Sequence, residues 1–120
     1  RIAFGKPIIK HEMIAEKFAD IYMEIEAARL LVLKAAWQVD HIGLGKEQNL
    51  ICSAAKLYAA EMSVRVSFKC MDIYGGYGYM MDNAPLRFFR DAYALIPGAG
   101  TPEIQRLVIA EGIEAGYKSP

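Results

Sequence analysis

The chain has 120 residues, which is long enough for one domain and too short for two. Its 14 Lys and Arg balance its 14 Asp and Glu, so the basic excess that is typical of a dedicated nucleic-acid binder is absent. Hydrophobic residues make up 54% of the chain, which argues against a disordered tail, and no apolar run reaches the roughly 18 residues that a membrane span needs.

The longest periodic stretch runs from about His11 to Asp40 and predicts a long helix. Its apolar residues are three and four positions apart, as on one face of a helix, and neither Gly nor Pro interrupts it. At about 1.5 Å per residue this helix would be roughly 45 Å long, which favours a helical bundle. The predicted apolar stripe consists of Ile14, Phe18, Ile21, Ile25, Ala28, Val32, Ala35 and Val39.

A second helix is predicted from about Glu47 to Ile73, after a connection that contains Gly43 and Gly45. This helix is apolar over much of its circumference, which is typical of a helix buried on several sides. We therefore expect it in the middle of a bundle or at a subunit interface. Its main stripe consists of Ile51, Ala55, Tyr58, Met62 and Val66.

Segment 74–79 predicts a loop, because its three glycines allow positive φ and a close approach to the backbone. A short helix from about Pro85 to Ile96 follows, with a polar cap offered by Asp82 and Asn83.

The last helix is predicted to begin with Thr101 as N-cap and to end at Gly116. No stretch shows strand-like alternation of useful length. The predicted fold class is therefore all-α, an antiparallel helical bundle of two long and two shorter helices.

The residue types argue against a metal site or a nucleophile. Di-iron bundles use Glu-x-x-His, whereas His11 and His41 do not follow a Glu at that spacing. Cys52 and Cys70 show neither a CxxC pattern nor an adjacent His, so we expect thiols in a reducing compartment.

One helix start has the features of a ligand site. The segment 98–103 places glycines just before the last helix, where free N–H groups and the helix dipole favour an oxyanion. The alternative is a tight loop with a good cap. The loop at Gly75 and Gly76 lacks the preceding strand that a dinucleotide-binding fold requires.

Five motifs occur in order along the chain: RIAFGKPI at 1–8, IEAARLL at 25–31, GGYGY at 75–79, RFFRDA at 87–92 and GTPEIQRLVIA at 100–110. Together they resemble the C-terminal helical domain of the acyl-CoA dehydrogenase family. The Gly-Ala-Gly-Thr motif at 98–101 is most similar to the isovaleryl-CoA dehydrogenase branch.

This resemblance implies a flavoenzyme that converts a short or branched acyl-CoA to the 2,3-enoyl-CoA. A carboxylate takes the α proton, FAD takes the β hydride, and electrons pass to electron-transferring flavoprotein. Residues 1–120 would then be a single bundle domain, the C-terminal fragment of a larger enzyme. Family members form dimers or tetramers, and both a bacterial cytoplasm and a mitochondrial matrix fit.

The resemblance also assigns site residues. The family commonly has Gln where this chain has Glu12 and Asp72, so both positions lack an amide donor. Substrate contacts are implied at Gly98, Ala99 and Gly100. Cofactor contacts are implied at Arg1, Phe4, Asp72, Gly75, Gly76, Thr101 and Glu103.

The chain departs from straight-chain family members at the catalytic base. Those members have Tyr-Glu-Gly-Thr, whereas this chain has Gly98-Ala99-Gly100-Thr101. Because Ala cannot accept a proton, we expect no catalytic residue in this chain. The resemblance to the isovaleryl-CoA dehydrogenase branch implies that the base is a Glu on the preceding helix, upstream of Arg1. We expect Gly98 to widen the acyl pocket and the Ala99 amide to bind the thioester oxygen.

Two alternatives stay open. The chain could be a non-catalytic helical oligomerisation module of the same fold, which the departures at Glu12, Asp72 and Ala99 favour. It could also belong to a flavin-binding relative that oxidises nitroalkanes or hydroxylates aromatics. If the chain is the flavoenzyme fragment, we expect it to be inactive alone and its exposed apolar stripe to favour self-association.

Overall fold

The computed structural model describes residues 1–116. Within this range an antiparallel strand pair and a short 3-10 turn precede a helical body that extends over 57 × 27 × 23 Å. The elements are β1 (Ile2–Ala3), β2 (Lys6–Pro7), the 3-10 turn (Ile8–Lys10), α1 (Glu12–Ile42), α2 (Lys46–Tyr74), α3 (Gly76–Tyr79), α4 (Ala84–Ala94) and α5 (Pro102–Glu114).

Helix α2 is the centre of the bundle, because α1, α4 and α5 all pack against it. Ion pairs join Lys17 to Asp72 and Glu24 to Arg65. The start of α1 therefore lies beside the end of α2, and the two helices are antiparallel. This arrangement confirms the predicted bundle with a central second helix.

The face that α1 turns toward α2 combines part of the predicted stripe with charged side chains. Ala28 and Ala35 are buried as predicted, but Phe18 and Val32 are 40% and 45% exposed. Lys17 and Glu24 also point to α2, since both form ion pairs with it. Ion pairs thus accompany apolar contact along the first half of this interface.

A short hairpin at the start of the chain adds two strands of two residues each to the predicted all-α bundle. Strands β1 and β2 pair antiparallel, with Ile2 opposite Pro7. Phe4 and Gly5, which connect them, both have positive φ, of 52° and 75°. A two-residue connection of this kind matches the right-handed twist of a hairpin, which explains the turn.

One local prediction was wrong, because the glycine-rich segment after α2 contains one helical turn, α3, where a loop was expected. Thr101 is the N-cap residue of α5, as predicted, but its side chain makes no capping hydrogen bond. Asn83 likewise precedes α4, and its amide nitrogen donates instead to the carbonyl oxygen of Tyr77.

An apolar stripe on α1 is exposed to solvent. Leu30, Leu33 and Trp37 are 65%, 57% and 56% exposed. At helical spacing they lie opposite Ala28 and Ala35, which are buried in the bundle. The bundle described here therefore leaves one apolar helix face uncovered.

Candidate functional site

The first group of predicted site residues meets at the carboxyl end of α2. Arg1 donates from Nη1 to the carbonyl oxygen of Tyr74 at 3.1 Å and from Nη2 to that of Ile73 at 3.5 Å. The last carbonyls of a helix lack partners within it and carry the negative end of its dipole, so a guanidinium is stabilised there. Arg1 is thereby held beside Gly75 and Gly76.

Both glycines face open space. A Cβ built on Gly75 or Gly76 would meet no atom within 4 Å. Gly75 has φ 61°, which favours glycine. The backbone here can therefore be approached closely by a ligand, which fits an extended group such as a dinucleotide cofactor.

A cavity of about 450 Å³ adjoins this backbone. Its walls include Arg1, Phe18, Tyr74 and Tyr77. Aromatic side chains beside a guanidinium suit a planar ring that carries a phosphate. The cavity and the glycines together give the first group a chemistry that fits FAD.

Phe4 and Asp72 also lie at this end of the molecule, but the Phe4 ring is exposed whereas the Asp72 carboxylate forms an ion pair. The Phe4 side chain is 96% exposed and contacts the His11 ring edge to face, with 6.0 Å between centroids. Asp72 accepts a hydrogen bond from Lys17 at 2.9 Å. Its carboxylate is thus paired within the protein, and Lys17 offsets the negative charge that it would present to a phosphate.

The second group of predicted residues forms the loop between α4 and α5. Ala99 and Gly100 both have positive φ, of 54° and 98°. A left-handed backbone at Ala99 is uncommon for a residue with a Cβ and persists where the surroundings hold it. Two side chains do so, because Lys56 binds the carbonyl oxygens of Ile96 and Gly100, and Gln105 binds that of Ala99.

The amide of Ala99 is free to bind a ligand. Among the described residues, no backbone carbonyl accepts a hydrogen bond from it. Gly98 and Ala99 also line an apolar cavity of about 430 Å³, together with Ala59 and Leu95. The loop thus presents an unpaired N–H donor at the edge of an apolar space.

Glu103 lies in the first turn of α5, as its second residue, and is exposed. The pKa of its carboxyl lies below the ordinary value, mainly because the carboxylate accepts hydrogen bonds from its own backbone N–H and from the Thr101 hydroxyl. Burial has a smaller, opposite effect on this pKa, and the positive charge of Arg106 lowers it further. The carboxylate is therefore ionised at neutral pH and serves as a hydrogen-bond acceptor.

The two groups do not come together within one chain. Lys56, which holds the second group, and Tyr74, which holds the first, lie about 18 positions apart on α2, or about 27 Å at the rise of an α-helix. The site is therefore divided into a glycine end (Arg1, Phe4, Asp72, Gly75 and Gly76) and an amide loop (residues 98–103).

Sequence reasoning missed Lys56 and Gln105. Lys56 could have been found from the sequence, because it is a single cation among alanines on a helix that was predicted to be buried on several sides. Gln105 gave no comparable signal, because a Gln in a helix is usually exposed.

Residues 1–116 lack a cluster of metal-binding side chains and a helix that could span a membrane. Residues 1–116 contain no group of three or more His, Cys, Asp or Glu that could hold a metal ion. No helix in this range has the length and hydropathy needed to cross a bilayer.

The family model for the C-terminal domain of acyl-CoA dehydrogenase matches residues 1–114. "Probable acyl-CoA dehydrogenase YngJ" of Bacillus subtilis (strain 168) is 46% identical over 110 residues, which are 92% of this chain and 28% of that protein. The structure of butyryl-CoA dehydrogenase from Megasphaera elsdenii is 37% identical with a TM-score of 0.88, over 95% of this chain and 29% of its own.

A glutaryl-CoA dehydrogenase from Mycobacterium smegmatis, solved in complex with FADH2, is 25% identical with a TM-score of 0.85. The match covers 100% of this chain and 30% of that one. The chain thus spans less than a third of the length of these relatives.

Proposed function

Because the chain belongs to the acyl-CoA dehydrogenase family, as its C-terminal domain, we propose that it is part of an FAD-dependent enzyme that oxidises a short or branched acyl-CoA to the 2,3-enoyl-CoA. The observation that carries this proposal is the family match over residues 1–114. In this proposal residues 1–120 are one bundle domain, the C-terminal fragment of a larger flavoenzyme.

The glycine end serves the diphosphate and adenine side of FAD. Arg1 keeps N–H donors free beyond its two bonds to α2 and neutralises the diphosphate. Gly75 and Gly76 let the cofactor approach the backbone, and the exposed Phe4 ring covers it. When bound, FAD supplies the acceptor for the β hydride.

The amide loop serves the flavin and the acyl thioester. Thr101 and Glu103 lie beside the flavin, where hydroxyl and carboxylate bind polar ring atoms. The separation of about 27 Å along α2 supports a division in which the glycine end binds the FAD of a neighbouring subunit. The protein is then a homo-oligomer, a dimer or tetramer, and the exposed stripe on α1 favours that association.

The substrate contacts come from the backbone of the loop. The free amide of Ala99 donates to the thioester carbonyl oxygen, which gains negative charge as the α proton leaves. Gly98 has no side chain to fill the adjoining cavity, so a short or branched acyl group fits there. This arrangement is similar to the isovaleryl-CoA dehydrogenase branch.

The catalytic base comes from outside the described residues. The walls of the cavity beside Ala99 consist of Lys56, Ala59, Ala60, Leu95, Gly98 and Ala99, and no carboxylate is among these. We therefore assign the base to a Glu that the full-length enzyme supplies upstream of Arg1. Electrons leave to an electron-transferring flavoprotein, in a bacterial cytoplasm or a mitochondrial matrix.

The test begins with the full-length protein that contains this sequence. It should be yellow, and anaerobic acyl-CoA should bleach its flavin absorbance. Isovaleryl-CoA and butyryl-CoA, compared at equal concentration, report the acyl preference. A colourless full-length protein would favour the helical oligomerisation module, whereas bound flavin that no acyl-CoA reduces would favour a relative with a different reaction.

A further inference from the structure

Lys56 ties both ends of the amide loop to the middle of α2. Its ammonium donates to the carbonyl oxygen of Ile96 at 3.0 Å and to that of Gly100 at 2.7 Å. Residues 97–99 lie between these two anchors. A single side chain therefore sets how far apart the ends of the loop lie.

The charge of Lys56 is stabilised by the dipoles of two carbonyl groups and not by a carboxylate. The ion pairs among the described residues all involve other side chains. An ammonium has three N–H donors, and the two carbonyls occupy two of them. A half-buried cation needs such acceptors, so Lys56 and the folded loop stabilise each other.

Gln105 fixes the carbonyl between the two anchors. Its Nε2 donates to the carbonyl oxygen of Ala99 at 2.9 Å, and the residue is 8% exposed. A Cβ on Gly100 would lie 2.6 Å from Nε2 of Gln105, so glycine leaves the room that this contact needs. The left-handed backbone at Ala99 is thus held from two helices.

These bonds also determine where the amides point. In a trans peptide plane the carbonyl of one residue and the N–H of the next point in opposite directions. Because the carbonyls of Ala99 and Gly100 turn toward Gln105 and Lys56, the amides of Gly100 and Thr101 turn away from those side chains. Along the chain, the Ala99 amide comes between the carbonyl of Ile96, which Lys56 holds, and the carbonyl of Ala99, which Gln105 holds.

We propose that Lys56 is a positioning residue that holds the Ala99 amide at the place where the thioester oxygen gains charge. This inference rests on the proposed function. The side chain is one wall of the cavity beside Ala99, but it acts on the thioester oxygen through the loop, because its ammonium donates to the two loop carbonyls. Nothing in the family match or in the motif at 98–101 identifies it.

The direct test is Lys56→Met in the full-length, flavin-loaded enzyme. A donor aimed at charge that develops in the transition state affects kcat more than KM. We expect kcat to fall at least about tenfold, as for the loss of an oxyanion donor. KM and flavin content should stay within about twofold, because most of the binding contacts of the CoA and of FAD lie elsewhere.

Three further measurements separate positioning from loss of structure. Lys56→Arg retains charge and several donors and should recover part of kcat. Lys46→Met, which removes an exposed cation from the same helix, should leave kcat unchanged. A CoA thioether of matching chain length, which lacks the carbonyl oxygen, should bind wild type and Lys56→Met equally.

The outcomes distinguish this inference from the proposed function. A wild-type enzyme that neither holds flavin nor oxidises any acyl-CoA overturns the function, and the inference with it. If the wild type is active and Lys56→Met keeps the wild-type kcat, the inference alone fails. If Lys56→Met does not fold, Lys56→Gln decides: full kcat contradicts positioning, and a partial loss with unchanged KM supports it.

Discussion

The ammonium nitrogen of Lys69 lies 3.0 Å from a carboxylate oxygen of Asp20 and so ties α2 to α1. The same nitrogen lies 3.2 Å from Glu24, whose other oxygen accepts a hydrogen bond from Arg65 at 2.8 Å. Four charged side chains thus form one network across the helix pair. Their interaction sets the register in which α1 and α2 pack.

The network makes stability depend on pH. Burial by itself raises the pKa of Glu24, but the hydrogen bonds and charges of Arg65 and Lys69 outweigh it and hold that pKa below its ordinary value. A lowered pKa in the folded state stabilises the protein above the unfolded pKa, and this contribution disappears as the pH falls through the folded pKa. We expect Glu24→Gln to lower the unfolding free energy by about 0.5–1 kcal/mol near neutral pH.

Denaturant unfolding at about pH 7 and about pH 3 measures this effect, since the difference between variant and wild type should shrink at the acidic pH. Asp82→Asn, which changes an exposed carboxylate in a loop, serves as the control. A difference that is the same at both pH values would show that Glu24 contributes through packing and not through its charge.

Gly112 allows α5 to approach α2. A Cβ at this position would lie 2.5 Å from Cδ1 and 2.8 Å from Cβ of Leu50. We expect Gly112→Ala to destabilise the protein by about 1–2 kcal/mol, because overpacking outweighs the gain of up to about 1 kcal/mol from helix propensity.

Thermal unfolding of Gly112→Ala measures this loss, and Glu111→Ala at the exposed neighbouring position should leave the midpoint almost unchanged. A Gly112→Ala midpoint at or above that of the wild type would contradict close packing between the two helices.

Gly76 offers the opposite case, because its missing side chain faces open space. We expect Gly76→Ala to leave thermal stability unchanged while lowering the flavin content of the full-length protein. The added methyl would stand where the proposed cofactor approaches the backbone. The ratio of flavin to protein absorbance after desalting measures the loss.

If Gly76→Val, whose side chain is larger, still binds a full complement of flavin, the glycine end is not part of the cofactor site. If Gly76→Ala keeps the wild-type unfolding midpoint, its loss of flavin does not come from a loss of stability.

Gly98 should control which acyl groups fit. It lies at the cavity of about 430 Å³, and a Cβ there would be 3.2 Å from the carbonyl oxygen of Ala94. We expect Gly98→Tyr to lower kcat/KM for isovaleryl-CoA about tenfold relative to butyryl-CoA, because the ring narrows the pocket. Lys46→Tyr, which adds the same ring at an exposed position outside the loop, is the control. If Gly98→Tyr leaves the ratio of kcat/KM for isovaleryl-CoA and butyryl-CoA unchanged, the acyl chain does not bind in the cavity beside Gly98.

The inward face of α1 was obtained only in part from its apolar pattern. The predicted stripe contains Ala28 and Ala35, which are buried, but also Phe18 and Val32, which are exposed. Lys17 and Glu24 share the inward face with the two alanines, because each finds an opposite charge on α2. A pattern in one helix does not contain the charges of its partner.

The sequence by itself determined the helices, their order, the glycine connections and the family, since periodicity, turn residues and motif order are local properties of the chain. Only the tertiary structure decided that Lys56 and Gln105 hold the loop at Ala99. It also decided that Arg1 closes on the carbonyls at the end of α2. These contacts join residues that are far apart in sequence or on different elements, so they exist only once the helices have packed.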